Sequence, residues 1–123
     1  MASILESRSN GNTITRQITA ETVTYAATVT LTAAQIKAYH SIFKLTLTGA
    51  LTLVAPTTGV LEDQIIEFRL TSDGTDRTVT YGTGFQAAGT HAIEGTGSLT
   101  GSSQFRFNGT VWVELCRQTP TSA

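Results

Sequence analysis

The chain has 123 residues, 14% of them charged and 40% hydrophobic, with a formal net charge of −1. That length supports one domain with its own core rather than two, and the near-neutral charge provides no basic field for nucleic acid or an anionic membrane surface. Twenty-four threonines, set against a charged fraction well below the usual ~25%, make the polar surface one of hydroxyls. Thr is β-branched and packs well on a pleated surface, so the composition predicts an all-β domain. The first residues lack the apolar centre of a signal peptide, and no run approaches the ~20 apolar residues of a membrane span. The expectation is a chain kept in the cytosol until assembly, without membrane contact. Cys116 has no second cysteine to pair with, so packing rather than disulfides must hold the fold.

Residues 1–19 read as an N-terminal arm. Ser7-Arg8-Ser9-Asn10-Gly11-Asn12-Thr13 has no apolar period, and the arm is either a frayed terminus or a segment ordered on another subunit, with Ile4 and Leu5 as anchors. The domain proper is expected over 20–118, with a short tail over 119–123.

From Glu21 the period becomes two. Val23, Tyr25, Ala27, Val29 and Leu31 share one face and threonines the other, predicting one long half-buried strand. Thr32 and Gln35 have capping-box spacing, which predicts a short helix near residues 33–38. Phe43, Leu45 and Leu47 start the next strand, Thr48-Gly49-Ala50 turns it, and Leu51–Val54 runs up to Pro56. Ile66, Phe68 and Leu70 align with Val79 and Tyr81 if Asp73-Gly74-Thr75-Asp76 closes a four-residue hairpin loop. Residues 82–102 read as a Gly-rich excursion with a short strand around Ala92–Ile93 or Leu99.

The last hairpin turns at Asn108-Gly109. A three-residue loop with a bulge pairs Arg106 with Thr110 and sets Phe105 against Val111. Trp112 then points away from the core with Gln104 and Glu114. The sum is seven or eight strands, best accommodated as an antiparallel β-sandwich or jelly roll.

Candidate chemistry is sparse. Cys116, beside Leu115 at a strand end, reads as a packing residue rather than a nucleophile paired with His40 or His91. The two histidines lack the spacing of a metal site. Asp73 and Asp76 loosely suggest a calcium loop, but Asp-Gly is ordinary turn chemistry. Glu62 and Asp63 read as a solvated loop. Gly82-Thr83-Gly84 lacks the helix and lysine of a phosphate loop, and the glycosylation pattern at Asn108-Gly109-Thr110 is incidental to a turn. No catalytic, cofactor-binding or metal-ligating residue is assigned. Trp112 either covers a sheet edge or anchors an interface, a role for which Trp is favoured.

The run VTLTAAQIKAYHSIFKLTLTGALTLVAP, then RTVTYGTGF, a Gly-rich stretch and FRFNGTVWVEL, resembles the small β-sandwich modules of tailed-bacteriophage virion proteins. The likeness covers about residues 22–116. It implies a non-enzymatic structural protein, most like a capsid decoration (cement) protein, that binds the major capsid protein on the outer surface of the virion, commonly as a homotrimer, after synthesis in the host cytoplasm. A chain with one module and a short arm looks more like a stand-alone decoration protein than a fibre. Ile4, Leu5, Arg8, Arg16 and Trp112 are then the candidate subunit or capsid contacts. The alternative is a tail-fibre or receptor-binding module for host surface carbohydrate; a small hydrolase is a third class, disfavoured for want of a nucleophile–base pair.

Overall fold

The structure is a computed structural model that describes the backbone of residues 2–9, 12–87, 89–96 and 99–119, with side chains from Ile18 onward. Its strands are β1 (Ala2–Ser9), β2 (Asn12–Thr22), β3 (Thr28–Thr30), β4 (His40–Leu47), β5 (Leu51–Val54) and β6 (Ile65–Ser72), followed by β7 (Arg77–Tyr81), β8 (Phe85–Gln86), β9 (Thr90–Ile93), β10 (Thr100–Phe107) and β11 (Trp112–Gln118). The protein is all-β, as the threonine content predicts, with eleven strands among the described residues rather than seven or eight. They form two sheets: sheet A in the order β1-β2-β4-β6-β10-β11-β8 and sheet B in the order β3-β5-β7-β9.

From β2 to β7 the chain alternates between the sheets. Strands β2, β4 and β6 are parallel neighbours in sheet A, and β3, β5 and β7 are parallel neighbours in sheet B. The result is a stacked, solenoid-like coil of roughly two dozen residues per turn. This corrects the expected antiparallel pairing. The long strand predicted from Glu21 is cut by a corner at 23–27, and β6 and β7 lie in different sheets, so the Asp-Gly turn is a corner rather than a hairpin loop. Antiparallel pairing is found in sheet A between β1 and β2 and across β6–β10–β11, and in sheet B between β7 and β9, while the edge strand β8 lies parallel to β11.

The corners stack as the strands do. Tyr25 Oη donates to the Ala50 carbonyl of the next corner at 2.8 Å, and Thr52 N–H donates to the Ala27 carbonyl at 2.9 Å. The tyrosine lies directly over Gly49, where a Cβ would collide with its hydroxyl. At the opposite end, Gln64 Nε2 donates to the carbonyls of Ile36 and Ala38, and its Oε1 accepts from Leu61 N–H.

No helix forms over 33–38. The capping bracket does close: Thr32 N–H donates to Gln35 Oε1 at 2.8 Å, and Gln35 and Ile36 N–H bond back to Thr32 and Ala33. One turn results, after which Ile36 and Ala38 are buried while Lys37 and Tyr39 are exposed. That alternation has the period of extended chain, so burial overrides the local start signal.

Between the sheets lies one apolar core. Phe43, Leu45, Leu47, Ile66, Phe68, Leu70, Phe105, Phe107 and Trp112 face it from sheet A; Val29, Leu51, Leu53, Val79, Tyr81 and Ile93 face it from sheet B. Aromatic rings bridge the layers, with Phe105 4.8 Å from both Tyr81 and Phe85 in ring-centroid separation. Such offset and edge-on contacts each add about 0.5–1.5 kcal/mol beyond area burial.

Candidate interaction surfaces

In sheet A the pleat that sends Phe43 and Leu45 inward sends His40, Ile42, Lys44 and Thr46 outward, and it does the same with Glu67, Arg69 and Thr71 on β6. Register places these residues in rows. Ile42 is paired with Glu67 and Glu67 with Gln104; Thr22 is paired with Lys44, Lys44 with Arg69 and Arg69 with Ser102. Glu67 is the hub. Its Oε1 accepts from His40 Nε2 and Gln104 Nε2, both at 3.1 Å, and its Oε2 accepts from Arg69 Nε at 2.8 Å. The carboxylate side chain is 11% exposed, against 47% for Arg69. A buried carboxylate with three donors is compensated, and it holds the guanidinium in one orientation.

A second polar network is enclosed. His91 is fully buried on the inner side of β9. Its Nε2 lies 2.7 Å from the Gln118 carbonyl, which can only accept, so Nε2 carries the proton. Burial holds this imidazole below its ordinary pKa, and in the neutral ring Nδ1 accepts from Tyr81 Oη at 2.8 Å. The phenol has one proton, so the 2.6 Å contact between Tyr81 Oη and Ser103 Oγ is supplied by the serine hydroxyl. Burial pushes the Tyr81 pKa up to about 12. Arg117 lies over the Tyr81 ring at 5.5 Å, and its Nη1 donates to the Thr90 carbonyl. Serine, histidine and tyrosine here close the core between β7, β9, β10 and β11. Ser103 is 1% exposed and bonds to the tyrosine rather than to the imidazole, so this is not a nucleophile–base pair open to substrate.

Trp112 is where the sequence reading and the structure part most sharply. It is 0% exposed, packs against Phe107 with tilted rings 5.1 Å apart and donates Nε1–H to the Pro56 carbonyl at 2.8 Å. The expected outward orientation is reversed because the loop has four residues. Asn108 Oδ1 accepts from both Thr110 and Val111 N–H, and β10–β11 pairing starts at Phe107 with Trp112. That register sets Phe105 opposite Glu114 rather than Val111, and it shifts only beyond this pair, leaving Gln104 opposite Cys116. Gly109 takes a positive φ of 96°. Trp112 is thus an anchor of the chain's own core.

The side chains of Ile4, Leu5, Arg8 and Arg16 lie outside the described residues. Their backbone belongs to the β1–β2 hairpin, which is paired from Ala2 opposite Ile18 to Ser9 opposite Asn12. Only Ile18–Thr22 of β2 also pairs with β4. The arm boundary expected at residue 19 therefore falls inside a strand shared by hairpin and sheet.

Cys116, expected to pack, is exposed. Asp73 and Asp76 do not converge: Asp73 is bidentate to Arg77 at 3.0 and 2.9 Å, and Asp76 Oδ1 accepts from Gly95 N–H at 2.7 Å. The Arg77 guanidinium holds the Asp73 carboxyl below its usual range. Sequence reasoning missed the Lys44–Arg69 neighbourhood, since cations so far apart in the chain look scattered until parallel register is known.

Comparison with protein-family models gives no match, and comparison with curated proteins gives none either.

Proposed function

We propose that the protein is a structural component of a bacteriophage particle that binds the outer surface of the capsid and stabilises it, with the major capsid protein as partner and a homotrimer as its assembled form. The observation that carries this reading is the β1–β2 hairpin. Among the described residues the backbone of Asn12–Gln17 is paired with β1 and the pairing to β4 begins at Ile18, and β1 forms one edge of sheet A. An isolated two-stranded ribbon is marginal in water, and an open edge is a template for a strand from another chain. Attachment through the hairpin satisfies both conditions, and a lattice repeats the contact at every site. A stable contact buries roughly 1,200 Å² or more. In this reading the two facing sheets are the sandwich of the virion modules that the sequence resembles, with the jelly-roll path replaced by a coil. Catalysis, cofactors, metals, nucleic acid and membrane have no part in it.

Locating labelled protein on purified particles by electron microscopy tests the proposal. Label on the head surface supports it. Label on the tail overturns it in favour of a tail-fibre or receptor-binding module, a reading that the paired cations on the outer face of sheet A favour. Absence from the particle overturns both.

A further inference from the structure

We infer that the outer face of sheet A carries a binding site for an acidic saccharide, one bearing a carboxylate or sulfate group, centred on Lys44 and Arg69. The inference deepens the receptor-binding reading, yet it concerns the face alone and holds equally for a protein seated on the capsid. A groove of ≈ 390 Å³ runs across β2, β4, β6 and β10, lined by Thr22, Lys44, Thr46, Arg69, Thr71 and Thr100. Its size lies within the range of small-ligand sites and admits roughly one or two sugar rings.

Register explains its chemistry. Thr22, Lys44 and Arg69 form one row, and Thr46, Thr71 and Thr100 form the next. Lys44 and Arg69 are thus like charges directly opposite on adjacent strands, an arrangement that costs stability. Glu67 relieves only part of it by accepting from Arg69 Nε at 2.8 Å. Lys44 has no carboxylate within ion-pair distance among the described residues, and no acidic side chain lines the groove. An anionic group placed between the ammonium and the terminal guanidinium nitrogens would relieve the remainder with charge-assisted hydrogen bonds.

The rest of the site is built rather than incidental. Glu67 is nine-tenths buried and itself held by His40 and Gln104, so Arg69 is braced before a ligand arrives. Thr71 and Thr100 hydroxyls lie 2.8 Å apart; paired hydroxyls both donate and accept, matching sugar hydroxyls, and their methyl groups offer apolar contact to a ring. No aromatic side chain lines the groove. That argues against the base stacking by which single-stranded nucleic acid is held and makes charge, not stacking, the basis of recognition.

The test is titration of the isotope-labelled full chain, followed by NMR, with a sulfated uronate disaccharide, with neutral lactose and with sodium sulfate. The inference expects saturable shifts at Thr22, Lys44, Arg69 and Thr71 with the acidic disaccharide, weakening as salt rises, and none with lactose. Lys44→Gln, an exposed change that leaves the fold intact by its thermal midpoint, should weaken binding about tenfold or more, the loss of one charged contact. Glu67→Gln separates a braced site from a diffuse patch: weaker binding supports the brace, whereas tighter binding after removal of a negative charge overturns it. Equal affinity for sulfate and the disaccharide, shifts confined to other surfaces, or no shifts at all would also overturn the inference.

Discussion

The outer face of sheet A gathers His40, Lys44, Glu67 and Arg69 into one connected patch, whereas sheet B, across the same core, presents Thr28, Thr52, Thr80 and Thr90 in a single row over four strands. Both faces arise from the same alternation of apolar and polar residues. They differ in what an exposed position is made to do. A threonine row fits a pleated surface and leaves no charge to satisfy. Two adjacent cations, only one of them braced by a buried carboxylate, cost stability that packing must offset, and such a cost points to binding rather than to folding. A small net charge thus conceals a local concentration that only parallel stacking assembles.

This contrast is between faces hung on one core, and the core can be broken first. Trp112→Ala should cost about 3–5 kcal/mol, the range for removing a large buried aromatic, with the Pro56 carbonyl also left unpaired. Denaturant unfolding should show a single transition reported alike by probes on either sheet; separate transitions would mean that the faces do not share a core. Next in size, Glu67→Ala should cost about 2 kcal/mol, since three donors lose a buried charged acceptor. A loss below about 0.5 kcal/mol, the range of surface changes, would reduce the sheet A patch to the standing of the threonine row.

The enclosed network carries a pH dependence of its own. Burial holds His91 below its ordinary pKa of 6.5, so the unfolded chain binds more protons than the folded one as pH falls past that value. Stability is therefore undiminished above pH 6.5 and declines as pH falls through it. His91→Gln should flatten the thermal midpoint between pH 7.5 and 5.5, a range set by about one unit on either side of the free imidazole; an unchanged slope would place the proton elsewhere. The smallest effect is expected from Thr52→Val, in the sheet B row, at within about 0.5 kcal/mol in either direction.

The alternation in the sequence identifies which residues face the core at Val29, Leu31, Phe43, Leu45, Phe68 and Tyr81, because period two survives a corner: the chain changes sheet without changing which side is apolar. For the same reason alternation cannot distinguish a hairpin from a corner, and the parallel coil was hidden. The available signal was duplication. Thr22-Val23-Thr24 recurs as Thr28-Val29-Thr30 across three residues, and Leu45-Thr46-Leu47 recurs as Leu51-Thr52-Leu53 across another three. Short words repeated about a corner, at a period of roughly two dozen residues, are the mark of stacked coils. Trp112 faces inward for a different reason. Asn108 uses its side chain to cap two N–H groups, lengthening the loop by one residue, and one residue reverses every side chain of a strand. The groove at Lys44 and Arg69 depends on inter-strand register and so had no local signature.

The proposal that the hairpin is the attachment element is tested most directly by removing it. Full-length protein and a chain lacking residues 1–16, which retains the Ile18–Thr22 pairing to β4, are compared for occupancy on expanded capsid shells, with thermal midpoints measured in parallel. The account predicts that the shortened chain keeps its midpoint and no longer binds. Equal occupancy of the two chains would contradict it.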